Sequence, residues 1–241
     1  MDFTNLERKV NYHMWKQIAE WFGALLVTAA VAVAVFGAAD WIEQRAEAAL
    51  PAEADGFTVV VDAGHGGSDG GAVGIDTNVK EAGLNLMVAL RIANLLSEQG
   101  VNVVLTRTDE NALAGTKQAD MAARRNILNT PGVDLVVSIH MNKFNDRSIS
   151  GAMAYYMAGS EEGQKLAQTV IDGVCEAIGR AKRLANPGDY FIIRECTCPA
   201  VLVECGFLSN AADEQLLQDP AHQEKLSRAI ADGVMAYLKA R

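Results

Sequence analysis

Three runs of this chain are almost purely aliphatic: VVV at 59–61, LVVSI at 135–139 and VLV at 201–203. Each is short, rich in β-branched residues and followed by a polar or glycine-containing stretch, which marks a strand rather than a helix. Strands of this kind are buried on both sides, so the sheet they form needs helices above and below it. The segments between them supply those helices. Residues 80–99 place Leu84, Met87, Val88, Ile92, Leu95 and Leu96 at helical spacing, with Gly100 where a C-terminal cap belongs. VNVVLTR reads as a strand and is followed by a helix through Arg124 and Ile127; GAMAYYM reads as another strand. Ser160 caps a helix to about Ile178. A closing helix follows Asp219-Pro220 and carries Leu226, Ile230, Val234 and Tyr237 as its apolar stripe. The expected fold is α/β: a mostly parallel twisted sheet of five strands with helices on both faces, preceded by one N-terminal transmembrane helix.

That last element comes from FGALLVTAAVAVAVFGAA at 22–39, which carries no charge and is just long enough to cross a bilayer core of ~30 Å. Arg8, Lys9 and Lys16 precede it, and Asp40, Glu43 and Glu47 follow. This bias predicts a cytoplasmic tail at 1–21, an uncleaved signal anchor at 22–39, an Ala- and Glu-rich linker at 40–56 and an exported domain at 57–241. Ala46-Glu47-Ala48 resembles a signal-peptidase site but lies well past the apolar run.

A net charge of -9 with no basic stripe excludes nucleic acid as a partner. The four cysteines, Cys175, Cys196, Cys198 and Cys205, form no CxxC pair, so a disulfide scaffold is excluded. A zinc knuckle on Cys196, Cys198 and Cys205 is conceivable, but buried free thiols are the simpler reading.

His65 follows the first aliphatic strand and His140 ends DLVVSIH. In open α/β sheets ligands bind at the carboxyl ends of strands, so two imidazoles delivered there can converge. Either one alone is more often a hydrogen-bonded structural residue; two beside carboxylates point to a metal. Glu81 opens the first helix and faces the same edge, where its plain alternative is a helix-dipole partner. Glu204 stands inside an apolar strand, where a carboxylate needs a cation nearby, either a metal or an arginine such as Arg107 or Arg194. Two histidines and a carboxylate make a catalytic zinc site with one open position, which acidifies water from a pKa of ~16 to ~7. A second carboxylate can then carry the proton to a leaving amine. The glycines of Gly64-His65-Gly66-Gly67 allow a tight turn and close approach of a polymer, and the run lacks the ending of a phosphate loop.

VVVDAGHGGSDGGAVG, KEAGLNL, VVLTR, VSIHMN and PAVLVECGFLSNAADEQLL, in this order, resemble the zinc-dependent N-acetylmuramoyl-L-alanine amidases of bacterial cell-wall metabolism. The likeness spans nearly all of 57–241. It implies zinc held by His65, Glu81 and His140, catalysis by Glu204, and supporting places for Asp62 and Asn142. The single anchor and the stretch RLANPGDYFIIRE resemble the CwlD-type sporulation amidases of endospore formers, which help remove cortex peptides so that muramic δ-lactam can form. Ala63 and Cys205 depart from the family pattern without touching a ligand. The autoinhibitory helix of the family is not evident, which leaves control open to an accessory regulatory protein.

The expected activity is hydrolysis of the amide between N-acetylmuramic acid and L-alanine of peptidoglycan, by a domain held outside the cytoplasm through a membrane anchor. A zinc peptidase cutting within the stem peptide is one rival. An inactive wall-binding or regulatory module is another, against which the four intact side chains argue.

Overall fold

The computed structural model describes residues 56–241. The tail, the apolar run and the linker up to residue 55 lie outside the described residues. Among the described residues, no helix is long and apolar enough to cross a membrane.

The chain runs β1 (Thr58–Ala63), α1 (Glu81–Ser97), β2 (Asn102–Leu105), α2 (Lys117–Leu128), β3 (Leu135–Asn142), β4 (Met153–Met157), α3 (Glu161–Ala177), β5 (Asn186–Gly188), α4 (Phe191–Glu195), β6 (Ala200–Phe207), α5 (Ala211–Gln218) and α6 (Pro220–Lys239). The strands form one sheet in the order β2-β1-β3-β6-β4-β5. Four of its five pairings are parallel, and β4 runs antiparallel to β6. The sheet is therefore mixed, with six strands where five were expected.

Alternation along the strands sorts side chains to two faces. Val59, Val61 and Ala63 of β1, Leu135, Val137 and Ile139 of β3, and Val201, Val203 and Cys205 of β6 face α1, α3 and α6 in the larger core. Val60, Val136 and Leu202 face the other way, against Leu128 of α2 and Ile192 and Ile193 of α4. Helices thus cover both faces. Asp62, Ser138, His140 and Glu204 belong to this second set by parity. The aliphatic strands place these polar groups on one face near their carboxyl ends.

Two helix starts follow the sequence signals: the Ser160 hydroxyl accepts from the Gly163 amide (3.1 Å) and Asp219 from the Ala221 amide (3.1 Å). Met87 departs from expectation. It is 43% exposed, while Leu84, Val88, Ile92, Leu95 and Leu96 are buried, so the apolar face of α1 is narrower than the pattern suggested.

A buried carboxylate fixes the loop before α1. Glu214 of α5 is fully buried. It accepts from the amides of Ile75 (2.9 Å), Asp76 (3.0 Å) and Thr77 (2.8 Å) and from the Thr77 hydroxyl (2.6 Å). Burial alone would raise its pKa, but these donors outweigh burial and hold the carboxyl below its ordinary value of 4.5. Its contribution to stability is therefore complete above that value and is lost as pH falls through the lower, folded pKa. Glu214→Ala orphans all four donors and is expected to cost about 3 kcal/mol or more in urea unfolding at pH 7. The wild-type advantage should shrink below roughly pH 4. An unchanged urea midpoint would show that the loop is held by something else.

Candidate metal centre

β1 delivers the first ligand candidate. The chain leaves β1 at Ala63 and turns at once, with the Gly64 amide donating to the Ile139 carbonyl (3.1 Å). His65 then adopts a left-handed backbone, with φ of 63°. Two buried arginines impose this path. Arg107 donates to the carbonyls of Ala63 (3.0 Å) and Gly64 (3.0 Å), and Arg124 to those of Ala63 (2.9 Å) and His65 (2.6 Å). Arg124 is itself held by Asp62 (2.5 Å) and Asp120 (2.9 Å). Asp62 also accepts from the Thr106 (2.9 Å) and Ser138 (2.6 Å) hydroxyls. Burial would raise the Asp62 pKa, but Arg124 and these donors bring it below the ordinary carboxylate value.

Around this loop, His65, Glu81 and His140 come together. Their ligand atoms all lie within 4.8 Å of one another, and theirs is the single metal-capable group among the described residues. Glu81 Oε1 is 3.2 Å from His65 Nε2 and 2.9 Å from His140 Nδ1. The two rings are 5.0 Å apart and nearly perpendicular. These separations sit near the roughly 3.3 Å edge of a tetrahedron with metal–ligand bonds of ~2.0–2.1 Å. Glu81 is buried and well supported: Oε2 accepts from the Ala72 amide (2.7 Å), and Oε1 from the Met141 amide (3.2 Å) and Asn85 Nδ2 (3.1 Å). Burial would raise its pKa, yet the bonds from His140 and His65 drive it far below the usual range. Burial likewise works against a charged His65, but Glu81 and Asp69 together raise its pKa. The donor set, two imidazoles and an ionised carboxylate, suits a borderline divalent ion such as zinc.

Glu204 lies beside this group. It pairs in register with His140 across β3 and β6 and lines the same cavity of about 370 Å³. It is 8% exposed, and its Oε2 has no hydrogen-bond partner. Neither arginine considered from sequence pairs with it: Arg107 is spent on main-chain carbonyls, and Arg194 binds Asp189 and Glu195. Burial pushes its pKa up to about 7, with the Glu81 charge adding to this and the two histidines opposing it. Such a carboxyl is poised to exchange a proton near neutrality.

The Gly-rich loop has a tighter role than closeness to a polymer. A Cβ on Gly64 would strike Cε1 and Nε2 of the His140 ring, and one on Gly71 would strike the Glu81 carboxylate. These glycines leave room for the ligand side chains. Gly64→Ala is expected to displace His140 and lower kcat/KM by about 100-fold, with metal content falling and the circular dichroism spectrum unchanged. Full activity in that variant would mean that the ring can move without consequence.

Several site residues gave no sequence signal. Asp69 receives His65 Nδ1 (3.0 Å), the kind of carboxylate–histidine pairing that orients a metal ligand, and Lys117 in turn sits 3.2 Å from Asp69. Tyr190, Phe191 and Ile192 of the unforeseen β5–α4 segment form one wall of the cavity. Of the two residues given supporting places by the resemblance, Asn142 lines the cavity and Asp62 serves the arginine beneath. All four cysteines are free, and none joins the metal-capable group.

An α/β sheet with a His-Glu-His cluster able to hold a metal ion beside a buried carboxyl, at the carboxyl ends of its strands, has the make-up of a hydrolase scaffold. Residues 59–236 match the family model for N-acetylmuramoyl-L-alanine amidase, Amidase_3, and the chain belongs to that family. It is 34% identical over 191 residues to the germination-specific N-acetylmuramoyl-L-alanine amidase of Bacillus subtilis, a match covering 76% of this chain and 80% of that protein. Among solved structures, the CwlD amidase of Clostridioides difficile in complex with the GerS lipoprotein superposes with a TM-score of 0.73 at 30% identity, covering 77% of this chain and all of that one. An N-acetylmuramoyl-L-alanine amidase from Clostridium difficile 630 gives 0.72 at 33% identity, covering 78% of this chain and 99% of that one.

Proposed function

We propose that this chain hydrolyses the amide between the lactyl carbonyl of N-acetylmuramic acid and the amine of L-alanine, with zinc held by His65, Glu81 and His140 and with Glu204 moving the proton. The observation that supports it most directly is the buried, unpartnered Glu204 carboxyl in register with His140. Zinc, when bound, supplies a Lewis acid for the carbonyl and makes water more acidic. The chain's residues do the rest. His65 is oriented from behind by Asp69, and Glu81 is held ionised by its amide donors. Glu204, with a pKa near neutrality, takes a proton from the attacking water and returns it to the departing L-alanine nitrogen. Tyr190, Phe191 and Ile192 add apolar surface to the cavity lining.

Digestion of purified peptidoglycan by the metal-loaded chain, read by mass spectrometry, tests the bond. Peptides beginning with L-Ala support the amidase; cuts within the peptide would support the peptidase rival instead.

A role in spore-cortex processing or germination belongs to this reading. It is supported by the Bacillus subtilis relative and by the resemblance carried by RLANPGDYFIIRE. An exported, membrane-anchored location is supported by the apolar run at 22–39 and its flanking charges. An accessory protein is supported by the Clostridioides difficile relative, whose structure holds a lipoprotein beside the amidase.

A further inference from the structure

Three basic side chains line the cavity, and two of them are already matched by carboxylates. Arg124 is bound to Asp62 and Asp120, and Lys117 to Asp69. The third, Lys143, follows directly on Asn142 at the end of β3. Its ammonium donates to the Val73 carbonyl (3.0 Å), and it has no carboxylate partner among the described residues. An ammonium has three donors, so two remain free. The carbonyl it meets belongs to Val73, which adjoins Ala72, whose amide holds Glu81 Oε2. The charge is thereby tethered one residue from the support of the metal-capable carboxylate. Val73 and Phe144, 38% and 48% exposed, flank it with apolar surface.

Another part of the lining is aromatic and aliphatic. Tyr190 rests edge-on against Tyr155 of β4, with ring centroids 5.0 Å apart, on the far side of β6 from β1, and Phe191 and Ile192 continue it. The lining is therefore uneven, with the Lys143 ammonium held to the loop that follows β1 and an aromatic and aliphatic stretch contributed by the β5–α4 segment.

The substrate has a matching asymmetry. On the muramic side the only carboxyl is consumed in the scissile amide, so the sugar half is neutral. Every negative charge lies on the peptide, on the side of the leaving amine. We propose that Lys143 is a specificity-determining residue that recognises a free carboxylate near the amine end of the stem peptide, while the neutral sugar half lies toward the Tyr190–Ile192 wall. The chain then discriminates stem peptides with a free acid from those in which that acid is a carboxamide. This rests on the amidase reading above.

The test uses the metal-loaded full-length chain and two muramoyl-peptides that differ only in whether the second residue carries a free carboxylate or a carboxamide. The wild-type enzyme should favour the free acid by about tenfold in kcat/KM, mostly through KM, as expected for one charge-assisted hydrogen bond. The preference should shrink as salt is raised, because the ammonium is exposed. Lys143→Gln should bring the ratio near unity, Lys143→Glu should reverse it, and Lys143→Arg should keep it. A ratio unchanged in Lys143→Gln overturns the assignment and leaves the amidase intact. If the wild-type chain hydrolyses neither substrate, the amidase reading itself fails.

Discussion

Replacing Glu204 by Gln is expected to slow peptidoglycan amide hydrolysis by between about 10²- and 10⁴-fold while the metal content of the purified chain stays at its wild-type level. The reasoning starts from burial. A carboxylate 8% exposed with an unpartnered oxygen costs free energy that the fold does not recover through any arginine. Its pKa rises to about 7 because of burial, so near neutrality it exchanges protons readily. Gln keeps the volume and the strand register with His140 but can neither accept nor carry the proton. Because Glu204 lies outside the His65, Glu81 and His140 group, metal binding should survive. Elemental analysis alongside a peptide-release assay separates the two effects. Wild-type turnover in Glu204→Gln would remove this residue from the chemistry.

Glu81→Ala should give the contrary pattern: metal affinity falls by more than about 100-fold, beyond the loss caused by deleting a supporting partner, and activity goes with it. Glu81 Oε1 is the point where His65 Nε2, His140 Nδ1, the Met141 amide and Asn85 converge. Its removal leaves the two imidazoles without the anion that draws them together and orphans the Ala72 amide. Competition against a chromogenic chelator measures the affinity, and added zinc should not restore turnover. A Glu81→Ala chain that still held one ion with native affinity would break the three-ligand assignment.

The contrast between these variants depends on a site whose main parts were visible in the sequence. His140 stood out at the carboxyl end of an aliphatic strand, and Glu204 as a carboxylate inside another, while the face they share became plain only from the sheet register. His65 and Glu81 followed from a strand end and a helix start. Other features had no local signature. β5 is three residues containing Pro187 and Gly188, and α4 is five residues, too short for either to show a period. The antiparallel direction of β4 depends on how its connection closes, which a five-residue strand does not reveal. Met87 fits the helical spacing of its neighbours, yet no element covers it. Arg107 and Arg124 act on carbonyls, which every residue has, so no pairing rule points to them. Asp69 was hidden among glycines and becomes meaningful only once the loop folds back, with the Gly66 and Asp69 main chains bonded to each other (2.9 and 3.1 Å).

The arginine grip on residues 63–65 has a wider consequence. Both guanidinium groups hold main chain, so the path of the loop does not depend on which side chain stands at position 65. The left-handed backbone there is one that Asn and Asp adopt more readily than most residues. The imidazole can therefore be replaced without the main chain losing its arginine support, although the contacts of its two nitrogens to Glu81 and Asp69 go with it. The scaffold of the loop and the ligand it carries are thus built from separate interactions, one made by backbone carbonyls and the other by the ring.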